Sequence, residues 1–156
     1  MKVTAYTDNG SVGILQIGGQ DVRLEGETEE QSIARINEII LTPEQIATAI
    51  IVENEDLPSS EFIQSYEISG NTVIVSMPSA RDLYMSSIRL YRNKALGDLD
   101  ATEIEAISKD DQTALTAVRA EKQVLRDLPA NTDLSGYADA AALSAFWPTE
   151  LGTKPY

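Results

Sequence analysis

The sequence predicts an α+β fold: a small N-terminal antiparallel sheet with one helix, followed by a C-terminal αα-hairpin and a short terminal helix. Three observations predict it. Two-residue turn signals, Asn9-Gly10 and Gly70-Asn71, sit between segments that alternate apolar and polar as half-buried strands do. At Ser79 the hydrophobic period changes from two to between three and four, and Ala80, Leu83, Tyr84, Ile88, Tyr91 and Ala95 fall on one helical stripe. Helix stop signals then follow at Gly97-Asp98 and at Pro129.

Taken in order, Lys2–Thr7 and 13–17 read as the strands of a hairpin around Asp8-Asn9-Gly10-Ser11. Asn-Gly supplies the positive φ that tight hairpin turns demand. Gly18-Gly19-Gln20-Asp21 is a second turn signal, with Val22-Arg23-Leu24 as a candidate extension of the sheet. The glycines from Gly13 to Gly19 resemble a phosphate-binding loop only superficially, because no Lys-Ser/Thr follows them and they open no helix. Thr28-Glu29-Glu30-Gln31 reads as a capped helix start, with acids placed to complement the helix dipole. Ile33, Ile36, Ile39 and Ile40 mark the packing face of a helix over 29–41. Thr42-Pro43-Glu44 is a second helix start or a turn, and 49–52 a buried β-branched strand. Residues 54–60 are loop by composition, and 62–69 and 71–76 form the second hairpin, which Met77-Pro78 ends.

From there the pattern gives one long helix over 79–96, a short one over 100–107, and a second long one over 111–128. Leu115, Val118 and Leu125 mark the packing face of the last, which Lys122 interrupts. Residues 138–146 form a final small helix, and Trp147-Pro148 anchors the end. The expected organisation is a sheet region over 1–76, a helical-hairpin region over 77–150, and a frayed tail over 151–156.

Composition excludes whole function classes. The 156 residues contain no cysteine and no histidine, which removes thiolate nucleophiles, Cys- or His-ligated metal, and the usual general base near neutral pH. No acids are spaced as in a calcium loop, so no metal and no cofactor are expected. An enzyme would have to rely on carboxylates, lysine or tyrosine, and no catalytic motif accompanies them, so the expectation is a protein that is not an enzyme.

The formal net charge is −13, unevenly spread. Residues 1–60 carry 11 acids and 3 bases, 61–96 carry 3 and 4, and 97–156 carry 11 and 5, giving −8, +1 and −6. Such a surface repels phosphate backbones, so no nucleic-acid partner is expected. No apolar run is long enough to span a bilayer, so none is expected with membrane either. Met1–Tyr6 alternates like a strand and lacks the apolar core of a signal peptide, which makes the cytoplasm the expected location.

The order of strand hairpin, helix, strand, Asp56-Leu57-Pro58, hairpin, Met77-Pro78-Ser79-Ala80-Arg81, helical hairpin, Leu125-Arg126-Asp127 and Trp147-Pro148 resembles a family of small bacteriophage-encoded proteins. Over Arg92–Pro129 the pattern is also similar to phage tail-fibre assembly and tail assembly chaperone proteins. Arg92-Asn93, Leu96, Asp98 and Leu125-Arg126-Asp127-Leu128-Pro129 occupy the matching places. The chain departs from that pattern at Asp98-Leu99, where Asp-Trp is common, and at Lys122-Gln123, where Tyr-Arg precedes the last leucine.

The resemblance implies a protein that acts by contact with another phage protein, of the tail or tail fibre, inside the bacterial host's cytoplasm or in the virion. The leading expectation is an accessory or chaperone in tail or tail-fibre assembly, with a virion structural component and a carboxylate-based hydrolase as alternatives. Self-association stays open. The candidate partner-binding residues are Arg89, Arg92, Lys94, Arg126, Asp127 and Trp147. Each also has a plain structural reading. Arg89 and Arg92 suit a solvated helix face, Arg126-Asp127 suit local capping and pairing, and Trp147 suits a core anchor.

Overall fold

A computed structural model of the chain describes residues 1–17 and 22–155. It shows a small mixed α+β fold, with antiparallel sheets in the N-terminal part and several helices in the C-terminal part. The chain divides into two compact units, Met1–Ala80 and Arg81–Tyr156.

In the first unit, β1 (Lys2–Asp8) lies between β2 (Ser11–Leu15) and β3 (Ile50–Glu53), antiparallel to both. Asn9 (φ 48°) and Gly10 (φ 81°) make the turn between β1 and β2, two successive left-handed residues as a tight hairpin requires. A second sheet pairs β4 (Tyr66–Ser69) with β5 (Thr72–Val75) around Gly70 (φ 59°).

Alternation explains the layers. Ala5, Val12, Ile14, Ile50 and Val52 of the first sheet pack with Tyr66, Ile68, Val73 and Val75 of the second. Thr4 points to the opposite face of β1, toward α1 (Glu29–Ile40), where its buried hydroxyl bonds Asn37 Oδ1 at 3.0 Å. This hydrogen bond satisfies two polar groups that burial would otherwise leave unpaired.

Several local expectations change here. Thr28 caps α1 with Gln31 reciprocating, as the motif demands, but Ile39 and Ile40 are 73% and 56% exposed. The buried face runs through Ile33 and Asn37 to Leu41, which takes the inward position just past the helix end. Val22-Arg23-Leu24 adds no strand, because side chains of α1 claim its backbone. Arg35 donates to the Val22 carbonyl at 2.8 Å, and Glu27, held by Arg35, accepts from Leu24 N–H. Gly18-Gly19-Gln20-Asp21 lies outside the described residues. Thr42 opens a true helix, α2 (Pro43–Thr48), with Pro43 in its first turn. Residues 60–65 form a 3-10 turn with Phe62 buried, so the strand expected from Phe62 begins only at Tyr66.

In the second unit the main correction concerns α3, a single helix over Met77–Ser108. The stop expected at Gly97-Asp98 does not occur. Gly97 is not among the positive-φ glycines, and a helix-interior glycine costs only about 1 kcal/mol. Against that cost stand ion pairs from the next helix to Asp100 and Glu103, which hold the second half of α3 in place. The turn that ends α3 is a Schellman motif with Asp110 (φ 51°) at the left-handed position. Asp110 N–H bonds Ile107 O, and Asp111 N–H bonds Ala106 O at 2.9 Å.

Asp111 then caps α4 (Gln112–Asn131), accepting from the N–H groups of Thr113 and Ala114. Pro129 does not end α4, which continues to Asn131. The hydrogen bond that proline cannot donate falls in the last turn, where the cost is least. Asp139 caps a short α5 (Ala140–Ala145), and a 3-10 turn covers Thr149–Leu151. In the segment expected to fray, Lys154 Nζ donates to the Ser144 carbonyl at 2.7 Å and lies over the Tyr84 ring; Tyr156 lies outside the described residues.

Candidate functional site

The C-terminal unit is organised around the inward stripe of α3 and the buried side of α4. Tyr84, Ile88 and Ala106 of α3 are buried, as are Leu115, Val118, Lys122, Leu125 and Leu128 of α4. The spacing of three and four in both sets is the amphipathic pattern that lets two helices pack. The C-terminal segment is tied to the N-terminal half of α3. Tyr84 OH donates to the Phe146 carbonyl, Arg81 donates to Tyr137 O at 2.8 Å, and Trp147 meets Tyr84 and Tyr91 edge-on at 6.3 and 5.5 Å.

Two hollows adjoin along the outer side of α4. One, of about 370 Å³, is lined by Ala120, Gln123, Val124, Asp127, Leu128, Asn131 and Glu150. The other, of about 380 Å³, is lined by residues that include Leu128, Asn131, Asp133, Phe146, Trp147, Pro148 and Glu150. Leu128, Asn131 and Glu150 line both, so the hollows form one groove beside the helix. Its floor is apolar (Val124, 53% exposed, with Leu128 and Trp147), and Asp127, Asp133 and Glu150 make its charged rim acidic.

Of the residues picked out in the sequence, Asp127 and Trp147 lie in this groove. Asp127 accepts two bonds from Gln123 at 3.0 Å, and Trp147 is half-buried with its ring nitrogen enclosed and unbonded. Arg126 is exposed on α4. On α3, Arg89 and Lys94 are exposed, whereas Arg92 is half-buried with Nε enclosed. Five residues along a helix amount to about 140° of rotation, so Arg89 and Lys94 stand on different sides of α3. Among the described residues none of these bases forms an ion pair.

Sequence reasoning missed Lys122. It interrupts the stripe of α4 on paper, yet its side chain is only 4% exposed. Its ammonium sits 2.6 Å from Asp100 Oδ1 and 2.5 Å from Glu103 Oε2, and Arg119 bonds the other oxygen of Glu103 at 2.8 Å. Hydrogen bonds from Lys122 and Arg119 hold the Glu103 carboxyl down at about 2, and those to Asp100 and Glu103 push the Lys122 ammonium upward. The available signal was the pair Asp100 and Glu103, three apart on the facing helix, opposite a lysine and an arginine three apart on α4.

Elsewhere, hydrogen bonds from Arg35 hold Glu27 at about 2 and those from Lys2 hold Glu30 at about 2. Every resolved carboxyl shift is downward, which keeps these groups ionised and acceptor-only. Among the described residues no cluster of three or more acids could hold a metal ion, and no helix is long and apolar enough to cross a membrane. No family model, curated protein or solved structure matches the chain.

Proposed function

We propose that this chain works by protein contact rather than catalysis, as an accessory or chaperone factor in the assembly of a phage tail or tail fibre. In this reading α3 and α4 form an antiparallel hairpin, and a segment of the partner polypeptide lies along the outer side of α4. The observation that carries it is the continuous groove from Ala120 to Pro148, with an apolar floor and acidic rim. A groove of that kind takes an amphipathic segment with apolar anchors and basic flanks. The sequence resemblance over Arg92–Pro129 supplies the phage-tail context.

Co-expression with each tail and tail-fibre polypeptide of the same phage tests the proposal. One of them should co-purify with the wild-type chain and be lost with Val124→Glu, which places a charge on the groove floor. An Ile74→Glu control, on an exposed position of the other unit, should retain it. Capture that survives Val124→Glu, or no capture at all, overturns the reading.

A further inference from the structure

We infer that the open edge of β3 is a docking site for an extended polypeptide carrying a lysine or arginine, which joins the first sheet as a fourth strand. β3 is an outer strand of that sheet and pairs with β1 alone. In an antiparallel ladder successive residues aim their backbone groups alternately at one neighbour and the other. Asn54 N–H bonds the Met1 carbonyl at 2.8 Å, one step beyond the Lys2–Glu53 pair in the same register. Val52 and Ile50, two and four residues back, therefore turn to β1 as well. Thr7 agrees from the other strand: on the β3 side of β1, its N–H donates to Thr48 Oγ1 at 2.9 Å. Ile51 and Glu53 are left with their N–H and C=O groups on the open side, where no other backbone group among the described residues bonds them. Two donors and two acceptors in a row, about 7 Å apart, suit the backbone of an added strand.

This edge borders a hollow of about 500 Å³ within the first unit. Ile51 and Val52 of β3 line it, with Asn71, Thr72 and Val73 of the second hairpin, and Asp56. Val52 packs toward the second sheet. A residue set opposite Val52 by an added strand points the same way, into the hollow. Edge and hollow thus coincide: backbone groups hold an extended chain, and a recess receives its alternate side chain.

Charge complementarity identifies that side chain. Lys2, Glu53 and Asp56 are the charged groups bordering the hollow. The Lys2 ammonium is bonded to Glu30, and Glu53 holds the N-terminal ammonium at 3.2 Å. Asp56 is exposed and has no ion pair among the described residues. A long side chain with a cationic head suits these walls, its methylenes along Val52 and Val73 and its head among Asp56, Asn71 and Thr72. The net charge of −8 over residues 1–60 favours the approach of such a segment. A second copy fits less well. Paired with itself through Ile51 and Glu53, β3 sets Val52 against Val52 and leaves Asp56 without a cation. The site belongs to the first unit and does not depend on the reading of the α4 groove.

Amide spectra of the isotope-labelled full chain, titrated with the probe peptide acetyl-Thr-Val-Lys-Val-Thr-amide, test this. Docked antiparallel, its lysine lies opposite Val52 and its valines opposite Ile51 and Glu53. The amide signals of Ile51, Glu53 and Asn71 to Val73 should shift and saturate below about 2 mM peptide, since four backbone bonds and one side chain make a weak contact. Methylating the backbone nitrogens of both valines removes the donors that the edge carbonyls need, and should abolish the shifts. Norleucine in place of the lysine should weaken binding about threefold. Asp56→Asn should weaken the lysine peptide by the same factor and leave the norleucine peptide unchanged. No saturable shift, undiminished binding of the methylated peptide, a norleucine peptide as tight as the lysine one, or an Asp56→Asn effect equal for both overturns the inference. Shifts of the same amides on concentrating the chain alone would mean that a second copy covers the edge, and overturn it too.

Discussion

Leu125→Ala, paired with Val124→Ala, tests the phase of α4 at single-residue resolution. Leu125 is 3% exposed and faces inward, whereas its neighbour Val124 is 53% exposed on the groove side. Truncating Leu125 removes three buried carbons at about 0.8 kcal/mol each, or about 2.4 kcal/mol of transfer free energy. The cavity left behind raises this to about 3–4 kcal/mol, within the range for buried leucines. Val124→Ala removes two carbons already half in water, and should cost less than about 1 kcal/mol. Urea melts followed by the fluorescence of Trp147, the chain's single tryptophan, report on this unit directly. With a denaturant slope of about 1.5 kcal/mol per molar, the Leu125→Ala midpoint should fall by about 2 M and that of Val124→Ala by less than about 0.7 M. Equal shifts for the two variants, or a larger one at Val124, would refute the assigned buried face and with it the position of the groove.

Acid should destabilise the chain through its paired carboxylates. Glu27, Glu30 and Glu103 titrate near 2 when folded and near 4.5 when unfolded, so their contribution is full above about pH 5 and is lost as pH falls toward 2. Melting curves from pH 7 to 2 should show that decline, and Glu103→Gln should make it shallower; between pH 5 and 7, with no histidine, stability should stay nearly flat. Gly97→Ala should stabilise the chain by about 0.5–1 kcal/mol, since the added methyl group meets nothing and α3 loses a flexible residue; a loss in urea melts would mean the helix bends there. Asp111→Ala should cost about 1 kcal/mol by removing the cap from two α4 N–H groups, and unchanged urea stability would show that solvent replaces it.

Local chemistry was the legible part of the fold. Asn9-Gly10, Gly70 and the Thr28–Gln31 cap each act within about four residues and appear where the motif places them, and Thr42, read as a helix start or a turn, opens a helix. What was illegible depends on the rest of the chain. Gly97 reads as a stop until Lys122 reaches across to Asp100 and Glu103 and holds the helix together. Asp110 terminates α3 in a conformation usually given to glycine, so the real end carries no glycine signal. Ile39 and Ile40 fit a helical period, but Leu41 beyond the helix end takes the inward place. For the candidate site, the motif singled out Asp127 and Trp147, and the groove they line depends on the turn at 149–151 lying beside α4, which no local signal announces.

Formal charge also changes meaning once the pairs are known. In the first unit the bases are occupied: Lys2 by Glu30, Arg35 by Glu27, Arg23 by Glu29, and the N-terminus by Glu53. In α4, Arg119 and Lys122 are occupied by Glu103 and Asp100. Each of these pairs cancels locally and contributes little to the field a partner meets. The exposed bases of α3, Arg89 and Lys94, have no such partner among the described residues, and neither has Arg126 on α4. Of the bases in the one stretch of positive net charge, Arg89 and Lys94 remain exposed and without an ion pair, whereas Arg81 bonds the Tyr137 carbonyl and Arg92 is half-buried. The exposed charges of α3 are mixed, Arg89 and Lys94 with Asp82 and Asp98, and the α4 groove presents Asp127, Asp133 and Glu150. The two surfaces therefore differ in charge pattern, mixed along α3 and acidic around the groove, and a polypeptide's own charges decide which of them it fits.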